Sequence, residues 1–408
     1  MTSIVDIFAG PGGWDEGLAM IGRRDVLGIE WDKAACSTAE AAGHTRILAD
    51  VSALNPTTFA PAEGFIASPP CQAWSMAGNR KGEDDRTNCH HLVNRMAEGD
   101  DSIDWAEWED VRSPLVCQPV RWVRELRPEW IALEEVPAVA SLWEHFARTF
   151  RTWGYSVWTG DLCAADYGVP QTRTRRILMA SRVKTVSPPE PTHAQHPEGA
   201  DLFGGGHREP WVSMAESLGW GFDSEPSCTV SSGGTATGGA EPFANAGYRR
   251  RLSAHMQGKP APTIVTTRRS EDGLIVGRQL PAGEGENVGG WGWLRGSNQA
   301  NAAIRGPHQP APTMLFGHCL NDVSWYPTED AAKPRQPMPA ADRDKAGVRV
   351  TVQEAGILQS FPPDYPWQGT RTKQYEQVGN AVPPLMAAHI LRAVGATRTH
   401  STRQDKAA

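Results

Sequence analysis

The first 185 residues alternate short apolar runs with stretches of helical periodicity, and this alternation limits the fold more than any other feature. The runs that indicate strands are residues 3–8, 25–30, 63–67, 129–134, 155–162 and 175–181. Helical patterns cover residues 32–42, 115–126 and 143–154. Alternating strand and helix units predict an α/β fold with a doubly wound, mostly parallel sheet, because right-handed crossovers return the chain to parallel strands.

The amino-acid composition of the sequence changes at about residue 186. From 186 to 345, Pro, Gly, Ser and Thr dominate, which predicts a smaller, irregular domain rich in loops and strands. Helical patterns return at 351–361, where Thr351 and Glu354 form a capping box, and at 382–394, whose first turn contains prolines. We therefore expect a first domain over 1–185, a second over 186–345, a segment 346–395 returning to the first domain, and a disordered tail over 396–408.

The composition argues against several classes of protein. No run approaches the roughly 18 apolar residues of a membrane span, and the N-terminal sequence lacks the pattern of a signal peptide. The seven cysteines are odd in number and scattered, so no disulfide framework is expected, and a cytoplasmic location is predicted. The net charge of −7 comes from the acidic run 98–110, without which 40 acids face 40 bases, so it neither supports nor excludes DNA binding.

Chemically distinctive turns follow three of the predicted strands. Strand 3–8 leads into the glycines Gly10 and Gly12, strand 63–67 into Cys71 between prolines and a glutamine, and strand 129–134 ends at Glu134. The carboxyl ends of parallel strands meet at one edge of a sheet, where ligands bind. The glycines, the thiol and the carboxylate are therefore expected to lie close together.

Two further acidic residues suggest a nucleoside site at this edge. Glu30 ends the second strand, 18 residues after Gly12, which suits a carboxylate that accepts ribose hydroxyls. Asp50 follows the run 46–49, where a third strand would end, and is placed to meet an adenine amino group. The alternative, that Glu30 and Asp50 merely cap helices or turns, stays open.

A thiol, a carboxylic acid and a nucleoside cofactor together suggest a reaction at cytosine. Carbon 5 of cytosine becomes nucleophilic once a thiolate adds at carbon 6, and an acid at ring nitrogen 3 favours that addition. Cys71 and Glu134 are the residues expected to supply these groups. Cys117 also precedes a glutamine, but it lies near the start of a predicted helix and is expected to pack as a small apolar side chain.

Six segments resemble, in the same order, the motifs of the DNA cytosine-5 methyltransferases: DIFAGPGG, PPCQ, EEVP, QTRTRR, TVQEAGILQSFPPDY and QVGNAVPP. The resemblance covers nearly the whole chain. It implies the fold of S-adenosylmethionine-dependent methyltransferases, with a catalytic and cofactor-binding first domain and a target-recognition domain over 186–345. The implied activity is sequence-specific methylation of carbon 5 of a flipped-out cytosine through a covalent cysteine adduct.

The resemblance also assigns roles to residues. Cys71 is implied as the nucleophile, Glu134 as the group that holds ring nitrogen 3 and the exocyclic amine, Arg175 as a contact on the carbonyl side of the base, and Arg173 as a contact to a phosphate or to the catalytic loop. The implied S-adenosylmethionine site consists of Phe8, Gly10, Gly12, Glu30, Trp31, Asp50, Pro70, Asn380 and Val382. The expected DNA contacts are Gln72, Ser75, Arg249, Arg250, Arg268 and Arg269.

The sequence departs from the family pattern at two places. Glu135 stands where the family usually has asparagine, and residues 77–114 are longer than in a minimal member. Cys89, His90 and His91 lie in this longer segment, but their spacing is poor for zinc, and no metal is expected.

Two alternative functions stay open, a catalytically inactive DNA-binding regulatory homologue and an RNA cytosine methyltransferase. The expected partner is double-stranded DNA, with no membrane contact. A monomer is expected, in a bacterial cell or a phage-infected host, and a cognate restriction endonuclease is a candidate partner.

Overall fold

The computed structural model describes residues 3–74, 81–197, 208–218, 291–295, 304–305, 311–312, 323–327 and 348–397. The helices of these residues are α1 (Gly13–Met20), α2 (Lys33–Ala41), α3 (Gly82–Glu98), α4 (Gln118–Leu126), α5 (Ala140–Thr152), α6 (Met214–Ser217), α7 (Val352–Leu358), α8 (Arg371–Asn380) and α9 (Pro384–Val394). The strands up to residue 181 are β1 (Ile4–Ile7), β2 (Val26–Glu30), β3 (Arg46–Leu48), β4 (Gly64–Ala67), β5 (Trp130–Glu135), β6 (Ser156–Cys163), β7 (Gln171–Thr172) and β8 (Thr174–Ser181). The later strands are β9 (His193–Ala194), β10 (Glu209–Pro210), β11 (Trp291–Arg295), β12 (Ile304–Arg305), β13 (Ala311–Pro312), β14 (Val323–Pro327) and β15 (Val348–Arg349).

The main sheet has seven strands in the order β3-β2-β1-β4-β5-β8-β6. Strands β1 to β5 are parallel, whereas β8 runs antiparallel to both of its neighbours. The predicted doubly wound, mostly parallel sheet is confirmed. The strand order reverses between β1 and β4, so the turns after these two strands flank the crevice where ligands bind in such sheets.

Helices cover both faces of the sheet, which explains why its strands are nearly continuous apolar runs. On one face, Ile7, Phe65 and Leu133 pack in a core cluster with buried residues of α3, α4 and α5. On the other face, Ile66 and Ala132 pack with residues of α1 and α9. The chain therefore returns to the main sheet at its C-terminal end.

Close packing brings α9 against α1. A Cβ added to Gly13 would lie 2.1 Å from the Val382 carbonyl oxygen, and one added to Gly17 would lie 2.7 Å from the Ala387 Cβ. Only glycine allows this approach of the two helices. The double glycine of the first motif thus serves helix packing as well as the turn.

Local sequence signals predicted some helices and missed others. The capping box of α7 is confirmed, since Thr351 N–H donates to Glu354 Oε2 at 2.7 Å and Glu354 N–H donates to Thr351 Oγ1 at 3.1 Å. Helices α1, α3 and α8 were not predicted. For α3 the signal was available, because its buried residues Cys89, Leu92, Val93 and Met96 follow the helical spacing.

Arginine side chains pair with much of the acidic run 98–110. Arg95 Nε lies 2.8 Å from an Asp100 oxygen, and Arg124 Nη2 lies 2.9 Å from an Asp101 oxygen. Asp110 likewise pairs with Arg112 at 2.6 Å. The run is therefore not a free block of negative charge.

A second sheet lies mostly within the range 186–345. It has four antiparallel strands in the order β12-β11-β14-β15. Strand β13 pairs instead with β7, at the start of the QTRTRR motif. Among the residues that the structure describes, no helix is both long enough and apolar enough to cross a membrane.

Candidate active site

The turn after β1 leaves open space at the carboxyl edge of the sheet. Phe8, Gly10 and Gly12 have positive φ angles of 58°, 56° and 115°. Among the described residues, no heavy atom outside the adjoining residues lies within 4 Å of a Cβ built on Gly10, whereas one built on Gly12 would lie 2.6 Å from the Tyr365 hydroxyl. The glycines therefore permit a left-handed turn whose Gly10 side is open to a ligand.

Glu30 is bound to this turn by main-chain groups. Its Oε2 accepts the Gly10 N–H at 2.9 Å, and its Oε1 accepts the N–H groups of Trp31 and Asp32, each at 2.8 Å. The residue is 8% exposed, and burial raises the pKa of its carboxyl while the three N–H donors oppose that rise. The backbone thus holds the carboxylate at the end of β2 in one orientation.

Trp31 and Asp50 stand beside this carboxylate at the ends of neighbouring strands. The Trp31 side chain is 71% exposed, which is unusual for so large an apolar group and leaves its ring face available for stacking. Asp50 is exposed, and its Oδ1 accepts the N–H and the hydroxyl of Ser52, each at 2.8 Å. An acidic group, an open glycine turn and an exposed indole fit an adenosine-containing cofactor.

The C-terminal segment closes the same side of the crevice. Val382 is buried against Gly13, and Asn380, the last residue of α8, is exposed. We call the groups at the ends of β1, β2 and β3, together with Asn380 and Val382, the cofactor half of the crevice.

A buried polar layer that sequence reasoning missed supports the cofactor half. Arg46 donates to both oxygens of Asp15, at 2.9 and 2.7 Å, and both side chains are fully buried. The Tyr365 hydroxyl donates to the Pro11 carbonyl at 2.5 Å. No local pattern marks these residues, because each contact joins segments that are distant in sequence.

The turn that carries Cys71, the predicted nucleophile, begins where β4 ends, and we call it the nucleophile turn. Pro70 has a φ of −66° and precedes a single 3₁₀ turn, Cys71–Ala73, in which Cys71 is partly buried. Behind the turn, the Trp14 indole N–H donates to the Ser68 hydroxyl at 2.9 Å. The turn is thus tied to α1, a contact that the sequence did not reveal. Gln72 lies in the same turn and is also partly buried.

Glu134 and Arg175 form a buried ion pair next to this turn. Arg175 Nε lies 2.9 Å from Glu134 Oε1, and the two residues are 5% and 4% exposed. Arg173 is also buried, and its Nη1 donates to the Gly379 carbonyl at 2.9 Å. Burial and the charge of Arg175 lower the pKa of Arg173 to about 9, so its guanidinium remains charged at neutral pH.

These groups surround the Cys71 thiol. Burial and the Glu135 carboxyl raise the pKa of Cys71 to about 12, while Arg175 and Arg173 act in the opposite direction. The structure therefore brings together the predicted catalytic residues Cys71, Glu134, Arg173 and Arg175. We call these four residues the base half of the crevice.

Other predictions fall outside this site. Cys117 is fully buried in the core, and its sulfur lies 3.5 Å from the Cys89 carbonyl, as expected for a packing residue. No cluster of three or more metal-ligating side chains occurs among the described residues. The predicted DNA contacts Ser75, Arg249, Arg250, Arg268 and Arg269 lie outside the described residues.

The doubly wound sheet, the cofactor half and the neighbouring thiol are the arrangement expected of S-adenosylmethionine-dependent methyltransferases. The family model of C-5 cytosine-specific DNA methylases matches residues 2–98, 106–209 and 289–396. The chain belongs to this family. It is a DNA cytosine-5 methyltransferase that uses S-adenosylmethionine.

Individual relatives agree with this assignment. The chain is 25% identical to the Type II methyltransferase M.DdeI of Desulfomicrobium norvegicum, over 94% of this chain and 86% of that protein. It is 26% identical to the Type II methyltransferase M.XorII of Xanthomonas oryzae pv. oryzae, over 96% and 83%. The crystal structure of a DNMT2 mutant from Spodoptera frugiperda superimposes with a TM-score of 0.50 at 12% sequence identity. The match covers 96% of this chain and 98% of that chain, and it supports the fold alone.

Proposed function

We propose that the enzyme methylates a flipped-out cytosine through a covalent adduct on Cys71. The convergence of Cys71, Glu134 and Arg175 beside the cofactor half carries this proposal. A base inside a duplex cannot reach these strand ends, so the target cytosine must leave the stack.

Each residue of the base half has a defined task in this reaction. The Cys71 thiolate bonds to carbon 6, the electron pair moves towards ring nitrogen 3, and Glu134 holds a proton there. Carbon 5 then takes the methyl group, which S-adenosylmethionine supplies when bound. Loss of the carbon 5 proton to water and breakage of the sulfur–carbon bond regenerate the thiolate.

The two arginines orient these groups. Arg175 keeps Glu134 in place and offers its remaining N–H groups to the carbonyl side of the base. Arg173, bound to the Gly379 carbonyl, joins the catalytic motif to the segment that leads to Asn380.

Further proposals concern the recognition of the DNA target, the cellular location, the partner enzyme and the oligomeric state. We assign target recognition to residues 186–345, with Arg249, Arg250, Arg268 and Arg269 contacting DNA, since arginine reads guanine and binds phosphate. The Type II relatives support a bacterial cytoplasmic setting and a cognate restriction endonuclease as partner. We propose that the enzyme acts as a monomer.

The proposed covalent adduct between Cys71 and cytosine can be trapped, and this tests the proposal. A fluorine at carbon 5 blocks the final proton removal, so duplex DNA with 5-fluorocytosine at the target and S-adenosylmethionine should give a complex that survives SDS. Peptide mapping should place the DNA on Cys71.

Two cysteine variants complete this experiment. Cys71→Ser should form no adduct, because a serine hydroxyl stays protonated and is a weaker nucleophile. The matched control Cys117→Ser should trap normally. Trapping that survives Cys71→Ser would overturn the proposal, and an unmodified wild-type protein would favour the catalytically inactive homologue.

A further inference from the structure

Glu135, the last residue of β5, lies beneath the nucleophile turn. It is 1% exposed. Side chains alternate along a strand, so Glu135 projects to the sheet face opposite Glu134. On that face Leu133 belongs to a core cluster against which the partly buried Cys71 also packs. Glu135 thus faces the core side of the nucleophile turn.

The two oxygens of Glu135 have different surroundings. Oε2 accepts the N–H of Val136. Oε1 is buried, and the described residues offer it no hydrogen-bond partner. Burial, assisted by the charge of Glu134, raises the pKa of Glu135 well above its usual range, although Val136 and Arg175 oppose this shift. A neutral acid suits this site, because an anion would leave a buried charge unsatisfied.

The charge of Glu135 matters most at Cys71. Among the charged neighbours of that thiol, the Glu135 carboxyl has the largest effect on its ionisation. An anionic Glu135 would make the thiolate form beside two carboxylates. With Glu135 neutral, the only carboxylate acting on Cys71 among these neighbours is Glu134, which is already paired with Arg175.

We propose that Glu135 is a positioning residue that stays neutral beneath Cys71 and so permits the nucleophilic thiolate to form, whereas its ionisation suppresses the thiolate. This inference rests on the proposed role of Cys71 as nucleophile. It adds no covalent step, since the thiol proton leaves to water and no bond to Glu135 is made or broken.

Charged groups from several elements lie near Glu135 and Cys71. Most of these groups are already paired with one another, which reduces their influence on the ionisation of the two residues. Arg176, the register partner of Glu135 on β8, is paired with Glu144 and Asp161, and Arg86 of α3 is paired with Glu83. Among the described residues, the charged groups that act on Glu135 or Cys71 are Glu134 on β5, Arg173 and Arg175 near or on β8, and Arg112, paired with Asp110, before α4.

The protonation state of Glu135 can be measured directly. Carbon-13 NMR of protein labelled at glutamate carboxyl carbons, titrated without DNA, should show a Glu135 signal that stays protonated at neutral pH. That signal should be absent from Glu135→Gln and from Glu135→Asn, which carries the residue usual in the family. A Glu135 signal that titrates near the ordinary glutamate value of about 4.3 would overturn the proposal.

The effect on the nucleophile needs a second readout. Mass spectrometry can follow alkylation of Cys71 by iodoacetamide from about pH 6 to pH 10, a range spanning ordinary cysteine ionisation. Near neutral pH, Glu135→Gln should react within about twofold of wild type, because both side chains are uncharged. As Glu135 ionises at higher pH, wild type should fall behind Glu135→Gln.

A rate for Glu135→Gln about tenfold above wild type at neutral pH would mean that Glu135 is anionic there and would overturn the proposal. Glu144→Gln, which removes a more exposed carboxylate from the same region, should match wild type throughout. Calorimetry of S-adenosylmethionine binding checks that each variant is folded. Neither readout requires methyl transfer, so failure here is distinct from failure of the 5-fluorocytosine experiment.

Discussion

In the cofactor half of the crevice, three main-chain N–H groups hold Glu30, whereas in the base half a side-chain guanidinium, that of Arg175, holds Glu134. Main-chain donors are positioned by the fold and cannot move away without disturbing it. A side-chain partner can exchange some of its contacts when a base arrives. From this comparison we expect a preformed cofactor site beside a base site whose polar contacts can rearrange when a base binds.

The two halves also differ in what lies beneath them. A doubly hydrogen-bonded buried ion pair, Arg46 with Asp15, supports the cofactor turn. Beneath the base half lies Glu135, a carboxyl with one unpartnered oxygen among the described residues. The first arrangement supports a loop, while the second is the one we propose to control the charge next to Cys71.

The largest effect is expected from Glu134→Gln. The amide cannot hold a proton at ring nitrogen 3 as a carboxyl does, and it leaves Arg175 buried without a countercharge, so single-turnover methyl transfer should fall about 10²- to 10⁴-fold. Calorimetry should show nearly unchanged S-adenosylmethionine binding, and Glu144→Gln serves as a control. A comparable loss of cofactor affinity would contradict the division of the crevice into two halves.

The next largest effect is expected from Arg46→Met. Removing one partner of a buried ion pair should lower the free energy of unfolding by about 3–5 kcal/mol, measured by urea titration. Adding Asp15→Leu should recover part of that loss, because the Asp15 carboxylate is then no longer buried without the guanidinium that paired with it. If the double variant is no more stable than the single one, the pair is not what supports the turn.

The smallest effects are expected from Glu30→Ala and Asp50→Ala. Each should weaken S-adenosylmethionine binding by about 1–3 kcal/mol, the scale of a hydrogen bond to a charged group. Asp50 is exposed to water and should lie at the lower end of that range. Unchanged affinity in both variants would remove these residues from the cofactor site, while the alkylation rate of Cys71 should be unaffected in either case.

The sequence was sufficient for features that depend on short stretches of chain. Apolar runs marked the strands, and Thr351 with Glu354 marked the start of α7, because strand burial and helix capping are set by neighbouring residues. The order of strands and motifs also placed Cys71, Glu134 and Glu30 at one edge. For this the general topology of parallel sheets was enough.

Only the tertiary structure decided which of these groups are paired and charged. The contacts of Arg46 with Asp15, of Tyr365 with Pro11 and of Arg175 with Glu134 join segments that no local pattern relates. The difference between Glu30 and Glu135 is not visible in sequence either, since both are glutamates at a strand end. Their ionisation depends on burial and on the hydrogen-bond donors at each carboxyl. Adjacent N–H groups reach both carboxyls, but only Glu30 also receives one from a distant segment, that of Gly10, and the burial of both is set by the packing of the whole sheet.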